Sequence, residues 1–389
     1  MDNFKYHVPT AVYFGKGQVK ALPQEIRGRF KKILIVTGAG SAKRNGIFNK
    51  VVAETKKAGV EYLELSGIKP NPRLKSVHDG VDICKKEGID LVLGVGGGSV
   101  IDCSKAIAVG AKYNGDCWDF FTKKTVPKDA LAVGCVLTLA ATGTETNGNA
   151  VITHQAVKRK LALYSPLLKP VFAILDPEYT YTVDKFNTAA GVVDIMAHVF
   201  EQHFSHTQAC DVQDLMAEAI LKVCIKYGPM TLQEPNNYDA RANIMWAGTL
   251  ALNDLIGIGK ETDWASHGIE HEISAIYDIS HGAGLSVIVP NWMRHVLNDR
   301  TAAKLADYGR NVWSIVPRND LADIANLAID KTREFFTSLG MPATLREAGI
   351  AEKDKFKQMA KDVIEHYKTV GSFKQLSEAD IIEILNASY

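Results

Sequence analysis

IDLVLGVGGGSVID, residues 89–102, joins an apolar run (89–95) to a glycine-rich turn and then to a helix predicted from about Val100 to Ala111. A short apolar run bounded by turn residues reads as a strand buried on both faces, and a helix following directly makes it the start of a strand–helix–strand unit. The same pattern recurs on either side. KKILIVTG (31–38) is a strand, Asn45 to Ala58 has helical spacing, VEYLEL (60–65) is strand-like, and IKPNPR (68–73) is a turn. Leu74 to Lys86 is helical, and LAVGCVLT (131–138) is another strand. This alternation predicts a parallel sheet covered by helices on both faces. AVIT (150–153) and VFAILD (171–176) add short strands, after which the texture changes. From about Val183 to the end the periodicity is helical, with breaks expected at Gly228–Pro229, Pro235 and Pro290. The expected architecture is an α/β nucleotide-binding domain over residues 1–182, followed by an all-α metal-binding domain over 183–389.

Composition narrows the function classes. A chain of 389 residues exceeds one ordinary core, so two domains are the natural expectation. It is 46% hydrophobic and 23% charged, with a formal net charge of +1 and no basic run or acidic tail. Neither nucleic acid nor an anionic membrane is favoured as a partner. The six cysteines are scattered without a C-x-x-C pair, which points to a reducing compartment rather than a disulfide or cysteine–zinc scaffold. MDNFKYHVPT carries no secretory pattern, and no apolar run approaches the ~20 residues of a membrane span. A cytoplasmic enzyme is expected.

Three polar loops follow three of the strands. In GGGS (96–99) the glycines either let the backbone approach a phosphate at a helix N-terminus or simply make a tight turn. The spacing departs from G-x-G-x-x-G, because Ser99 stands where the last glycine would be. Asp102 either binds a cofactor hydroxyl or amide or favours the helix start. TGAGSAKRNG (37–46) and TLAATGTETNGN (138–149) are the other two loops. Three such loops at strand carboxyl ends suit a dinucleotide.

A second set of residues lies downstream. Asp194 and His198 stand four apart in AGVVDIMAHVFEQ, His267 and His271 stand four apart in WASHGIEHEISA, and His281 follows in DISHGAG. Residues four apart share one helix face. A carboxylate with neutral imidazoles suits Zn²⁺ or Fe²⁺, although such pairs also arise by chance.

GGGS-x-x-D (96–102), T-L-x-A-T-G-T-E (138–145), the D-x-x-x-H and H-x-x-x-H pairs and the later H-G-x-G resemble the iron-containing (group III) alcohol dehydrogenases. KPNP (69–72), LDP (175–177) and YDARANIMWA (238–247) extend the resemblance over essentially the whole chain, nearest to the bacterial butanol dehydrogenase and broad aldehyde reductase branch. The resemblance implies hydride transfer between NAD(P)H and a short-chain aldehyde or primary alcohol, with NADP or NAD and one divalent metal, Fe²⁺ or Zn²⁺. The implied metal ligands are Asp194, His198, His267 and His281, with His271 a non-ligand proton relay. The implied cofactor positions are Gly38, Gly40, Ser41, Asn71, Gly97, Gly98, Ser99, Asp102, Thr138, Thr142, Asn147, Lys160 and Tyr179. A homodimer or larger homo-oligomer is implied as well.

Many relatives place an Asp after the first strand, where it binds the adenosine ribose and repels a 2′-phosphate; Gly38 stands there in this chain. NADPH is therefore expected to be usable beside NADH. Lys43 and Arg44 either assist a 2′-phosphate or are solvated helix-face charges. Trp246 and Trp264 either line an alkyl pocket or belong to the core. The rival function is a dehydroquinate-synthase-like lyase acting on a sugar phosphate. It needs a basic cluster among the histidines, and Lys222, Lys226, Arg241 and Lys260 form none in the sequence.

Overall fold

The 89–95 run forms strand β4, Leu91–Gly96, with every residue buried. In chain order the other strands are β1 (Ala11–Phe14), β2 (Lys32–Gly38), β3 (Glu61–Ile68), β5 (Ala132–Leu137), β6 (Asn149–His154), β7 (Arg159–Tyr164) and β8 (Phe172–Leu175). Six of them make one sheet in the order β1-β8-β5-β4-β2-β3, with every neighbouring pair parallel. Helices α1 (Ile47–Lys57), α2 (Leu74–Glu87) and α3 (Gly98–Ala111) connect β2, β3, β4 and β5 in turn.

Alternation along the strands divides the core between the two faces. Ile33, Ile35, Leu91, Leu93 and Val95 pack with Ile47 and Val51 of α1. Leu34, Val36 and Val92 pack with Val77 and Val81 of α2 and Ile107 of α3. Each such side chain contributes roughly 1.5–3 kcal/mol when buried. Gly134 of β5 makes room for a large neighbour, since a Cβ there would lie 2.3 Å from the Phe172 ring. β2 pairs with β3 on one side and β4 on the other, so strand order reverses at β2. The turns after Gly38 and Gly96 therefore stand side by side at the switch point of the sheet, where ligands of such sheets bind.

The computed structural model describes residues 1–316 and 320–389. They divide into a sheet unit, His7–Val183 with Pro235–Thr249, and a helical unit, Met1–Tyr6 with Asp184–Glu234 and Leu250–Tyr389. Helix α4 (Lys185–His203) opens the long helical run, followed by α5 (Asp211–Gln233), α6 (Tyr238–Ala251), α7 (Ala265–Tyr277), α8 (His281–Val296), α9 (Ala302–Trp313), α10 (Leu321–Ser338), α11 (Phe356–Tyr367) and α12 (Glu378–Ala387). Most of α6 belongs with the sheet, where Met245 packs with Ile101, Cys135 and Leu137. None of the helices among the described residues is long and apolar enough to cross a membrane. All six cysteines are buried and free.

Several local expectations are corrected. Pro229 and Pro290 do not break their helices; both lie inside, in α5 and α8. Each proline removes one N–H bond, and the packing of a long helix outweighs that loss. Helix α3 begins at Gly98, two residues early, because the Gly97 carbonyl accepts from the Val100 and Ile101 N–H groups at 3.0 and 3.2 Å. β1 and β7 are additional strands, and β7 pairs antiparallel with β6 in a separate two-stranded hairpin.

Candidate functional site

In the helical unit one carboxylate oxygen is the hub. Asp194 Oδ1 lies 3.5 Å from His198 Nδ1, 3.9 Å from His267 Nε2 and 3.6 Å from His281 Nε2. Ligand atoms of Asp194, His267 and His281 all fall within 4.8 Å of one another, and the His198 and His267 ring centroids are 4.6 Å apart. Helix α4 supplies Asp194 and His198 from one face, α7 supplies His267, and His281 is the first residue of α8.

Two carboxylates outside the resemblance aim the imidazoles. Glu201 Oε1 accepts from His267 Nδ1 at 2.9 Å, from the His267 backbone N–H at 3.0 Å and from Ser266 Oγ at 2.5 Å. Glu270 accepts from His281 Nδ1. With each Nδ1 so engaged, each Nε2 turns toward Asp194, the arrangement that outer carboxylates give metal-ligating histidines. Both were findable in the sequence: Glu201 is seven residues after Asp194 and Glu270 three after His267, hence on the same helix faces.

Electrostatics and unsatisfied atoms test the fit of a metal. Among the described residues, Asp194 Oδ1, His198 Nδ1 and His267 Nε2 are buried without a hydrogen-bond partner. Leaving such atoms unpaired costs about 1–3 kcal/mol each. Burial would raise the Asp194 pKa, but His198, His267 and His281 together hold it well below the usual carboxylate range. Burial pushes His198 down to about 4, against the pull of Asp194. Burial also opposes charge on His267, yet Asp194 and Glu201 outweigh it and hold that pKa at about 9. A buried carboxylate among converging imidazole nitrogens calls for positive charge at its centre, and the donor set fits a divalent first-row ion.

The glycines of HGAG explain how three helices meet there. A Cβ on Gly282 would stand 2.3 Å from the Ala190 carbonyl oxygen of α4, and one on Gly284 would stand 2.7 Å from Glu270 Cγ of α7. His271 lies to one side, its ring centroid 5.5 Å from that of His281 and 6.4 Å from that of His267. Its Nδ1 is 3.4 Å from the Tyr367 hydroxyl, a partner that sequence spacing could not have shown. Trp264 holds its ring against His198 and His267, at 6.3 and 5.5 Å, and donates from its indole N–H to Thr262 Oγ1. Trp246 instead packs edge-on against Phe14 in the sheet unit. Lys260 is tied to Asp214 at 2.5 Å, and Arg241 donates to the Pro235 carbonyl.

The sheet unit places Gly38, Gly40, Ser41, Asn71, Gly97, Gly98, Ser99, Thr138, Thr142 and Tyr179 at or beyond the carboxyl ends of strands, with Asp102 inside α3 and Lys160 at the start of β7. After β2, Gly40 has φ 110°, a conformation suited to glycine, and caps the short helix Ser41–Arg44. After β4, a Cβ on Gly98 would meet Thr142 Oγ1 at 2.7 Å, so the α3 start and the 138–149 loop sit in contact. No side chain caps α3. Thr138 donates its backbone N–H to the Gly96 carbonyl at 3.0 Å. Asn71, with φ 50°, Lys160 and Tyr179 are buried, and the Tyr179 hydroxyl has no hydrogen-bond partner among the described residues. Lys43 is paired with Glu64 at 2.7 Å.

A residue not anticipated from the sequence, Lys105, organises the loop. Its ammonium is fully buried and donates to Thr144 Oγ1 at 2.7 Å, to the carbonyls of Asn147 and Asn149 at 2.8 Å, and to Asn147 Oδ1 at 3.2 Å. Asp102 accepts from Thr144 Oγ1 at 2.6 Å and from the Val151 N–H at 3.0 Å. Asp102 and Asn147 thus already hold the loop together in this structure.

Residues 9–177 match the iron-containing alcohol dehydrogenase family, and residues 188–389 match the C-terminal domain of the Fe-containing alcohol dehydrogenase family. The chain is 46% identical to NADH-dependent butanol dehydrogenase A of Clostridium acetobutylicum, with all of both chains covered. It is 41% identical to the NADPH-dependent aldehyde reductase YqhD of Escherichia coli over 90% of each. The crystal structure of NADH-dependent butanol dehydrogenase A from Thermotoga maritima superposes with a TM-score of 0.96 at 37% identity, covering 100% of this chain and 99% of that one. With matches spanning nearly its whole length, and a carboxylate and three imidazoles gathered in its helical half, this chain belongs to the iron-containing alcohol dehydrogenase family.

Proposed function

We propose that the protein is a metal-dependent oxidoreductase moving hydride between NAD(P)H and a short-chain aldehyde or primary alcohol, such as butyraldehyde and butanol. The convergence of three imidazoles on Asp194 Oδ1 carries this assignment. The sheet domain, residues 1–182, takes the cofactor, and the helical domain, 183–389, takes one Fe²⁺ or Zn²⁺ through Asp194, His198, His267 and His281. When bound, the metal polarises the substrate oxygen as a Lewis acid, and the nicotinamide gives or takes the hydride.

The chain's own residues do the rest. Glu201 and Glu270 fix the ring orientation of His267 and His281. His271 serves as the proton relay, oriented at Nδ1 by the Tyr367 hydroxyl. Trp264 forms an apolar wall beside the centre and excludes water from one side. Gly38, Gly40, Ser41, Gly97, Gly98 and Ser99 let the backbone approach the cofactor phosphates at the two adjacent turns. Asn71, Thr138, Thr142, Lys160 and Tyr179 complete the cofactor site, and Asp102 and Asn147 shape the loop within it. The enzyme works in the cytoplasm as a homodimer or larger assembly.

The test is consumption of the reduced cofactor's near-ultraviolet absorbance with butyraldehyde, using NADPH or NADH, before and after chelation. Oxidation of either cofactor that chelation abolishes and metal restores is the expected result. No oxidation after reloading with Zn²⁺ or anaerobic Fe²⁺ would sink the assignment.

Cofactor choice has its own test. A Cβ on Gly38 would make only ordinary contacts, 3.5 Å to Val100 and 3.6 Å to the Ile68 carbonyl, so aspartate fits. Gly38→Asp is expected to lower kcat/KM for NADPH about tenfold or more, some 1.4 kcal/mol, with NADH little affected. Equal losses with both cofactors would place the 2′-phosphate elsewhere.

A further inference from the structure

A second set of metal-ligating atoms lies in the sheet unit, where neither the motifs nor the family resemblance assigns any role. His78 sits in the second turn of α2, and Asp116 and Cys117 lie in the turn that follows α3. Gly110, near the end of α3, permits the approach. A Cβ there would stand 2.7 Å from Val81 of α2 and 3.1 Å from Cys117 Cβ. His78 Nε2 lies 2.9 Å from Asp116 Oδ1, which also accepts the Trp118 N–H at 2.9 Å. One ligand atom from each of His78, Asp116 and Cys117 falls within 4.8 Å of the other two. A single point therefore lies within about 2.8 Å of all three, against zinc bond lengths of about 2.0–2.3 Å.

We propose that His78, Asp116 and Cys117 form a binding site for a borderline-soft divalent cation of the zinc class, separate in ligand chemistry from the Asp/His centre. The donor set selects the ion. Zn²⁺ accepts sulfur, imidazole nitrogen and carboxylate oxygen together, whereas Mg²⁺ and Ca²⁺ require oxygen shells. The geometry also provides an entrance. Cys117 is buried at the base, while the His78 and Asp116 side chains are 44% and 52% exposed at the mouth. On binding, the Cys117 thiol releases its proton to solvent and forms the sulfur–metal bond. With its proton shifted from Nε2 to Nδ1, His78 supplies the Nε2 lone pair and Asp116 supplies one from a carboxylate oxygen, the cation replacing the hydrogen bond between them. Water completes a tetrahedral shell. Such an ion ties α2 to the 112–118 turn and stabilises the sheet unit by mass action.

The absence of sulfur from the Asp/His centre gives the site a private signal. The full-length protein, stripped with a chelator and kept reduced with a phosphine, is titrated with Co²⁺ and followed by absorption. A thiolate-to-cobalt charge-transfer band in the near ultraviolet is expected, and excess Zn²⁺ should extinguish it. The band should persist in His267→Ala, disappear in Cys117→Ser with aldehyde reduction unchanged, and need at least tenfold more Co²⁺ in His78→Ala. Cys117→Ala repeats the sulfur deletion where serine disturbs the buried position. No band in the wild-type protein, or a band surviving both Cys117 variants, overturns the site. An unshifted titration in His78→Ala removes the histidine from it.

Discussion

His267→Ala is expected to leave the purified protein without its metal, whereas His271→Ala is expected to retain the metal and lose turnover. The two residues share one face of α7 and are equally buried, so neither burial nor spacing separates them. Geometry does. His267 directs Nε2 toward the Asp194 oxygen at 3.9 Å while Glu201 grips its Nδ1 at 2.9 Å. His271 instead presents its Nδ1 to the Tyr367 hydroxyl at 3.4 Å. Loss of a ligand should weaken metal retention by more than the roughly 10–100-fold that loss of an outer partner such as Glu201 costs. Metal analysis beside turnover on both purified variants settles the matter, and the reverse pattern would exchange the two roles.

Lys105→Met is expected to cost the sheet unit about 3 kcal/mol and to raise the KM for the nicotinamide cofactor, with metal content unchanged. Methionine approximates the volume but donates nothing, so Thr144, Asn147 and Asn149 lose a buried donor, and the Asp102 carboxylate loses the favourable charge of Lys105 while keeping that of Lys160. Denaturant unfolding measures the first effect and cofactor titration the second; a variant as stable as the parent would show that the loop holds itself.

The pH dependence carries a definite sign. Burial pushes the Lys105 pKa from 10.5 down to about 8, so the unfolded chain binds the extra proton between those values. The difference in stability between wild type and variant should therefore grow as pH rises from about 8 toward 10.5.

Much of this was legible in the chain because the relevant periodicities are local. Asp194 and His198 had to share a face once α4 formed, and the turn after β4 had to end a buried strand. What escaped depended on partners distant in sequence. β1 is four residues long, and its pairing with β8 joins residues far apart in the chain. RKLALY, which forms β7, opens with two basic residues, and its partner in the hairpin is the polar-ended β6. Tyr367 reaches His271 across 96 residues. Pro229 and Pro290 misled for the opposite reason, a local rule meeting helices whose burial overrode it, whereas the break at Pro235 is present. Glu201 and Glu270 were visible in principle, since both lie on the predicted faces, but carboxylates beside histidines announce nothing until the rings have a direction.

The contact at Gly282 bears on how such an enzyme changes over generations. Because main chain meets main chain between Gly282 and Ala190, the position of His281 depends on two backbones and not on the shape of any side chain at that contact. Residues lining the neighbouring space, Trp264 among them, are then open to replacement without shifting His281. Substrate range can drift by ordinary point mutation while the machinery for activating the oxygen is inherited intact. The same glycine that fixes the junction leaves the protein permissive.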